Sequence, residues 1–356
     1  DHNQIYPEAI QYVFTDQINS LYRVKFDYLQ KSTSATSYQT QFEIATYYVL
    51  GSVKIQRFID NNWQTQKEYS LTYDYLDQAI SRLLSIAPKA GTQTLPVLNF
   101  IYYSGGPAIN LLQTINNNKA GTINLEYLPS TYYVDPETGL RSQLPFIIDT
   151  LHKVTRSDQI TQTSTTQTFD YFGGHYYVDY QDIFAREYAG FNKVFSTDSL
   201  GQIAKTYFHQ SEFAKDNPTS ALKGEYDDHI SKKGKTYRQE IYDSQNHLFQ
   251  STITKWDKRD LPGEDRWLVW PAESVNLTWD GDADHKDKAE AFQYDDFGNV
   301  LDQIEFGEVS ANSDTGSFSD VLADKRTAKF AYALNESANI VSLPSGQMIF
   351  DYQDAK

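Results

Sequence analysis

Leu21-Tyr22-Arg23-Val24-Lys25-Phe26-Asp27-Tyr28 alternates apolar and charged residues almost without a break. A period of two, carried by aromatic and β-branched side chains, describes a strand with one apolar and one wetted face. Ser52-Val53-Lys54-Ile55-Gln56-Arg57-Phe58 and Gly121-Thr122-Ile123-Asn124-Leu125-Glu126-Tyr127 repeat the pattern. Between such runs lie clusters that reverse a chain, among them Asp60-Asn61-Asn62, Asn116-Asn117-Asn118, Asp135-Pro136-Glu137-Thr138-Gly139, Asp198-Ser199-Leu200-Gly201, Lys232-Lys233-Gly234 and Asp295-Asp296-Phe297-Gly298-Asn299. Each offers a Pro, or a Gly or Asn that tolerates left-handed backbone. The expected class is all-β: consecutive antiparallel strands and hairpins. Only two segments read as helical, Leu76 to Ile86 and Asn110 to Ile115.

Strands buried on both faces would read as unbroken Val, Ile and Leu. Here Lys, Gln, Thr and Asn interleave the apolar positions, so many strands should show a face to water. The polar, Thr- and Gln-rich stretch 153–168 reads as a linker or an edge strand, and 309–320 as a long surface loop. A division near it gives an N-terminal half, 1–155, and a C-terminal half, 156–356.

The 356 residues hold 47 Asp and Glu against 31 Lys and Arg, a formal charge of −16. That balance argues against nucleic acid and anionic membranes, which both reward clustered cations. Aromatics make up 15% of the chain, with 27 Tyr, while Met occurs once and Cys never. Disulfides, thiolate metal sites and Cys nucleophiles are thereby removed. No apolar run approaches a membrane span. The chain opens Asp1-His2-Asn3 without Met or signal peptide, which reads as a mature protein or an excised fragment.

No catalytic signature is present. The seven His (2, 152, 175, 209, 229, 247 and 285) include no pair three or four apart. A zinc-binding helix therefore has no anchor, and His175 and His209 read as strand or turn residues. Nucleophile-elbow, P-loop and dinucleotide motifs are absent. Asp280-Gly281-Asp282-Ala283-Asp284-His285 places carboxylates at positions 1, 3 and 5 of a calcium loop, but position 6 is His285 and position 12 is Ala291. It reads as a solvated acidic loop, with a calcium site outside the EF-hand class as the alternative. Trp267-Leu268-Val269-Trp270 could stack on sugar rings, or anchor the packing of a sheet. Asn276-Leu277-Thr278 and Asn335-Glu336-Ser337 match a glycosylation pattern that arises readily by chance.

Several stretches, taken in order, carry a resemblance. Tyr6-Pro7-Glu8-Ala9-Ile10-Gln11-Tyr12 is followed by Tyr22 to Tyr28, Arg82-Leu83-Leu84-Ser85-Ile86 and Leu95-Pro96-Val97-Leu98-Asn99-Phe100-Ile101-Tyr102. Gly105-Gly106-Pro107-Ala108-Ile109-Asn110-Leu111-Leu112 then leads into Gly121 to Tyr127. Arg186-Glu187-Tyr188-Ala189-Gly190-Phe191-Asn192-Lys193-Val194, Thr206-Tyr207-Phe208-His209-Gln210, Leu222-Lys223-Gly224, Tyr294-Asp295-Asp296-Phe297-Gly298-Asn299-Val300 and Ile340-Val341-Ser342-Leu343-Pro344 complete the set. The order resembles Rhs/YD-repeat shell proteins, most closely the middle segment of the B component of Tc insecticidal toxin complexes and its SpvB-like relatives. Tyr-Asp pairs stand at 73, 226, 242 and 294 with irregular spacing, and the last carries the full Tyr-Asp-x-x-Gly-Asn unit.

The resemblance implies a curved sheet forming a segment of an Rhs-type hollow shell that encloses a toxic C-terminal polypeptide. It implies no catalysis, no cofactor and no metal, with the remaining shell and the enclosed polypeptide (Tc C-like and A-like components) as partners. It also implies a secreted bacterial toxin complex. No propeller repeats or self-cleavage motif accompany the match. An edge-strand homodimer is a further expectation, because cut sheet edges are unpaired. A carbohydrate-binding or carbohydrate-active β-protein is the alternative function.

Overall fold

The computed structural model describes residues 4–14, 20–38, 42–75, 80–178, 186–210, 222–263, 266–279, 283–322 and 324–351. Among these, regular structure is β-strand apart from three 3-10 turns, Leu222–Gly224, Ile230–Lys232 and Glu336–Ala338. The expected all-β class is borne out. The chain packs as two compact units, residues 1–127 with 153–166 and residues 128–152 with 167–356.

The first unit is built from β1 (Ala9–Phe14), β2 (Ser20–Ser37), β3 (Ile44–Ile59), β4 (Asn62–Asp74), β5 (Arg82–Ala90), β6 (Gln93–Thr94), β7 (Leu98–Tyr102), β8 (Leu112–Asn116) and most of β9 (Gly121–Pro129). Each strand pairs antiparallel with the one before it, except that β7 passes over the two-residue β6 to pair with β5. Asp60 and Asn61, both with positive φ, make the two-residue turn between Ile59 and Asn62 that such a hairpin prefers.

The chain continues through β10 (Asp149–Asp158), β11 (Thr163–Val178), β12 (Arg186–Thr197), β13 (Ile203–Phe208), β14 (Thr236–Tyr242), β15 (Leu248–Asp260), β16 (Trp267–Thr278), β17 (Lys286–Tyr294), β18 (Val300–Ala311), β19 (Phe318–Asp320), β20 (Arg326–Asn335) and β21 (Ile340–Asp351). Pairing again follows chain order, with β18 bonding both β19 and β20.

Few side chains are wholly buried. An apolar cluster of the second unit, Ile253, Val275, Leu277, Ala289 and Val309, occupies one face of β15 to β18, with Trp279, Phe306 and Phe318 against it. Gly224 and Gly316 lie over Ile253, where a Cβ would come within 2.4 and 2.8 Å of its Cγ2. Loops, rather than a second sheet, cover that face here, and they do so through residues without side chains.

Three expectations are corrected. Residues 76–79 lie outside the described residues, but the rest of the expected first helix is strand: Arg82–Ala90 pairs with β4 along its whole length. The second expected helix is β8, Leu112–Asn116. In both, cross-strand partners on either side outweigh a weak helical pattern. The stretch 309–320 is the end of β18, a tight turn and β19, with Asn312 Oδ1 accepting from the Asp314 and Thr315 amides. The stretch 153–168 forms the ends of β10 and β11 around a turn at 159–162.

Candidate functional site

Tyrosine explains much of how adjacent strands are tied. Tyr28, Tyr73, Tyr102, Tyr294 and Tyr332 each sit where their own strand slips register against the following strand. Their hydroxyls donate to carbonyls of the preceding strand or its approach: Tyr28 to Pro7, Tyr73 to Leu50, Tyr102 to Leu83, Tyr294 to Pro271 and Tyr332 to Val300, at 2.7–3.2 Å. A bulge turns one side chain out of the regular pleat, and the long phenol spans to the neighbour. Tyr127 and Tyr171 make the same bond, to Leu112 and Leu151, the latter from a regular position of its strand. Burial pushes the Tyr171 phenol up to about 12.

The Tyr-Asp unit at 294 combines this latch with a turn. Asp295 N–H donates to Asn299 O, and Asp295 Oδ1 accepts from the Phe297 and Asn299 amides. Gly298 supplies φ +85°. Three other hairpins have this arrangement, opening on Asn117, Asp198 and Asp243, with Ala120, Gly201 and Asn246 at the positive-φ place. The unit therefore repeats beyond the one position where its full sequence signature stands.

A buried ionic layer lies in the second unit. The turn 135–139, closed by Gly139 N–H to Asp135 O, carries Asp135 and Glu137 to Lys193 of β12. Lys193 Nζ donates to Asp135 Oδ2 at 2.9 Å and Glu137 Oε2 at 2.8 Å, and Lys223 Nζ reaches the same Glu137 oxygen at 2.8 Å. Glu240 accepts from Arg238 Nε at 2.6 Å and from the hydroxyls of Tyr207 and Tyr242. Arg238 also donates to the carbonyls of Ser313 and Asp314. Three cations meet three carboxylates, so the layer is neutral. Burial opposes ionisation of Asp135 and Glu137, but Lys193, together with the Glu137 amide at Asp135 and with Lys223 at Glu137, holds both below the usual carboxylate range. Burial, then the Glu240 charge, pushes the Tyr207 phenol far above its ordinary range.

A second polar cluster forms around His209, which follows β13 and is wholly buried. Its Nδ1 lies 3.0 Å from Asp228 Oδ1 and 4.0 Å from Glu225 Oε1. Its Nε2 has no hydrogen-bond partner among the described residues. Lys232 Nζ donates to the carbonyls of Tyr226 and Asp227 and to Asp227 Oδ2, which fixes the loop carrying both carboxylates. Burial, with the Asp228 charge added, pushes Glu225 up to about 7.

The residues singled out from sequence are scattered. His175 lies in β11 against the Tyr177 ring, and His152 Nδ1 meets Phe169 O. His2, Asp280 and Asp282 lie outside the described residues, so the calcium reading rests on nothing further. Trp267 packs on His229, and Trp270 lies between Tyr294 and Arg259. Both are half-buried in packing, which gives the sugar-platform reading no support. A cleft of about 210 Å³ beside Gly173 and Gly174 has Asp135 as its acid, already held by Lys193. Another, of about 220 Å³, is lined by Asp287 and Glu308; Asp287 is engaged by His285 and the Ala311 amide. Neither offers the two free carboxylates that glycoside hydrolysis needs. Sequence reading missed Asp135, Lys193, Arg238 and Glu240, because a charge at an alternate strand position looks the same whether water or a loop covers it.

Residues 103–218 match the family described as the insecticide toxin TcdB middle/N-terminal region. That bears out the resemblance to the Tc B-component middle segment. Among solved structures, a TcdB2-TccC3-Cdc42 complex aligns over 92% of this chain and 19% of its own, at 15% identity and TM-score 0.50. A TcdB2-TccC3 complex aligns over 98% and 19%, at 16% identity and TM-score 0.50. The Tc holotoxin pore of Photorhabdus luminescens aligns over 90% and 19%, at 15% identity and TM-score 0.50. At such identities the likeness is one of fold, and the chain spans about a fifth of those chains. No curated protein matches. Among the described residues, no helix is long and apolar enough to cross a membrane.

Proposed function

We propose that this chain is a non-catalytic wall segment of a Tc-B-like toxin shell, secreted with its complex, whose chamber holds a toxic C-terminal polypeptide. The observation that carries the reading is the meander of strands paired in chain order, within which residues 103–218 match the TcdB middle region. Its partners are the remaining shell and the polypeptide inside. β21 supports this: among the described residues it pairs with β20 alone and leaves Leu343, Met348 and Ile349 half or more exposed. An apolar strand with unpaired amides is a template for another strand. On this reading further shell strands continue from β21, in preference to an edge-paired homodimer.

The mechanism needs no chemistry on the cargo. A polypeptide denied room to fold stays inactive, and the latched, bulged strands supply a wall that does not open under thermal motion. The test is limited proteolysis of the full-length shell protein containing this segment, purified with its partner half. The enclosed polypeptide should remain uncut under conditions that digest the same polypeptide free in solution. Val275→Pro, which removes an amide from the middle of β16, should let protease in. Equal digestion of enclosed and free polypeptide would overturn the proposal.

A further inference from the structure

We propose that His209, Glu225 and Asp228 form a zinc-class divalent-cation site that fastens the 225–229 loop to the end of β13. One ligand atom from each residue lies within 4.8 Å of the others. Zinc held by imidazole nitrogen and carboxylate oxygen at about 2.0–2.2 Å requires ligand atoms about 3.3 Å apart in a tetrahedron. The separations of 3.0 and 4.0 Å from Nδ1 bracket that edge. The backbone is already held: His209 N–H donates to Lys235 O, and Gly234 N–H donates to His209 O. Lys232 anchors the facing loop from behind.

The imidazole supplies the second argument. It is fully buried, so each nitrogen needs a role. With the proton on Nδ1, it is donated to Asp228, an ordinary buried imidazole–carboxylate bond. With the proton on Nε2, the Nδ1 lone pair faces two carboxylates, a repulsive arrangement. Nε2 stands alone among the described residues in either tautomer, so the choice is made at Nδ1: a cation there relieves the repulsion of the second case by accepting the lone pair and both carboxylates together. The ligand set also selects the ion. One nitrogen with two carboxylates suits zinc, whereas calcium takes six to eight oxygens. The fourth position is left to water.

The site was not legible from ligand spacing. Sixteen positions separate His209 from Glu225, a spacing that matches no zinc motif.

The experiment is calorimetric titration of the full, metal-stripped chain with Zn²⁺, alongside thermal unfolding. One ion per chain should bind, and saturating zinc should raise the unfolding temperature, because only the folded state presents the site. Glu225→Gln and Asp228→Asn should each weaken binding by about tenfold or more and remove the thermal shift. His247→Gln, which removes the exposed His247–Asp243 pair, should leave both unchanged. Mg²⁺ should give no shift. Absence of zinc binding in the unmodified chain overturns the proposal. So does binding unaffected by both carboxylate variants, or abolished by His247→Gln, which would mark an adventitious surface site.

Discussion

Lys193 meets two carboxylates at once. Its ammonium is buried, with an equally buried Asp135 and a half-exposed Glu137 as partners. Removing one member of a buried ion pair strands the other, at a cost of about 3–5 kcal/mol. Lys193→Met should therefore lower the unfolding free energy by about 3 kcal/mol in a urea titration, far more than a surface Lys substitution. The pH dependence follows from the same contacts. Asp135 and Glu137 are held below their ordinary values, so their contribution to stability is complete above about pH 4.5 and fades as pH falls through the lowered values. Lys193 is held above its ordinary value, so its contribution is intact below about pH 10 and is lost as pH rises beyond that. In Lys193→Met the acid limb of a stability–pH curve should flatten. An unchanged acid limb would place the acid sensitivity elsewhere.

At the scale of elements, the recurring device is the strand that bulges at a tyrosine and latches backward. Tyr102→Phe removes a hydroxyl that donates to Leu83 O at 2.9 Å while keeping the ring that stacks with Arg82. The expected cost is about 1 kcal/mol, the net worth of one such bond. A loss above about 3 kcal/mol in denaturant unfolding would mean the ring itself had shifted. The Asx-opened turns give a second prediction with the opposite sign. Ala120 occupies the left-handed place, φ +69°, that Gly201 and Gly298 fill in the equivalent hairpins. Ala120→Gly should stabilise the chain by about 0.5–1 kcal/mol, read from the same titration, because it relieves a Cβ penalty that Gly201 and Gly298 do not carry.

These elements also mark how far the sequence could be read. Alternation in Leu21 to Tyr28 and the turn clusters gave strands and reversals correctly, since both depend on near neighbours. Leu83 and Leu112 misled because a short apolar run has no period of its own, and only the flanking strands decide its form. The Asn117, Asp198 and Asp243 turns escaped the Tyr-Asp-x-x-Gly-Asn pattern, although Asp or Asn followed three places later by Gly, Asn or Ala would have found them. Buried charge was out of reach: whether Arg238 faces water is settled by residues 313 and 314, some 75 positions away.

For the whole molecule, one feature bears on how the protein comes to exist at all. Among the described residues, pairings join strands that follow one another in the chain, or that are separated by one short strand. Antiparallel β-proteins normally fold slowly, because distant segments must find one another before any contact rewards the loop entropy. A meander escapes that search. As the chain leaves the ribosome, each new strand meets a template completed moments before, so the sheet can be laid down from its first strand to its last during synthesis. The sticky edge of the growing product is then a single strand at any instant, and the next length of chain covers it.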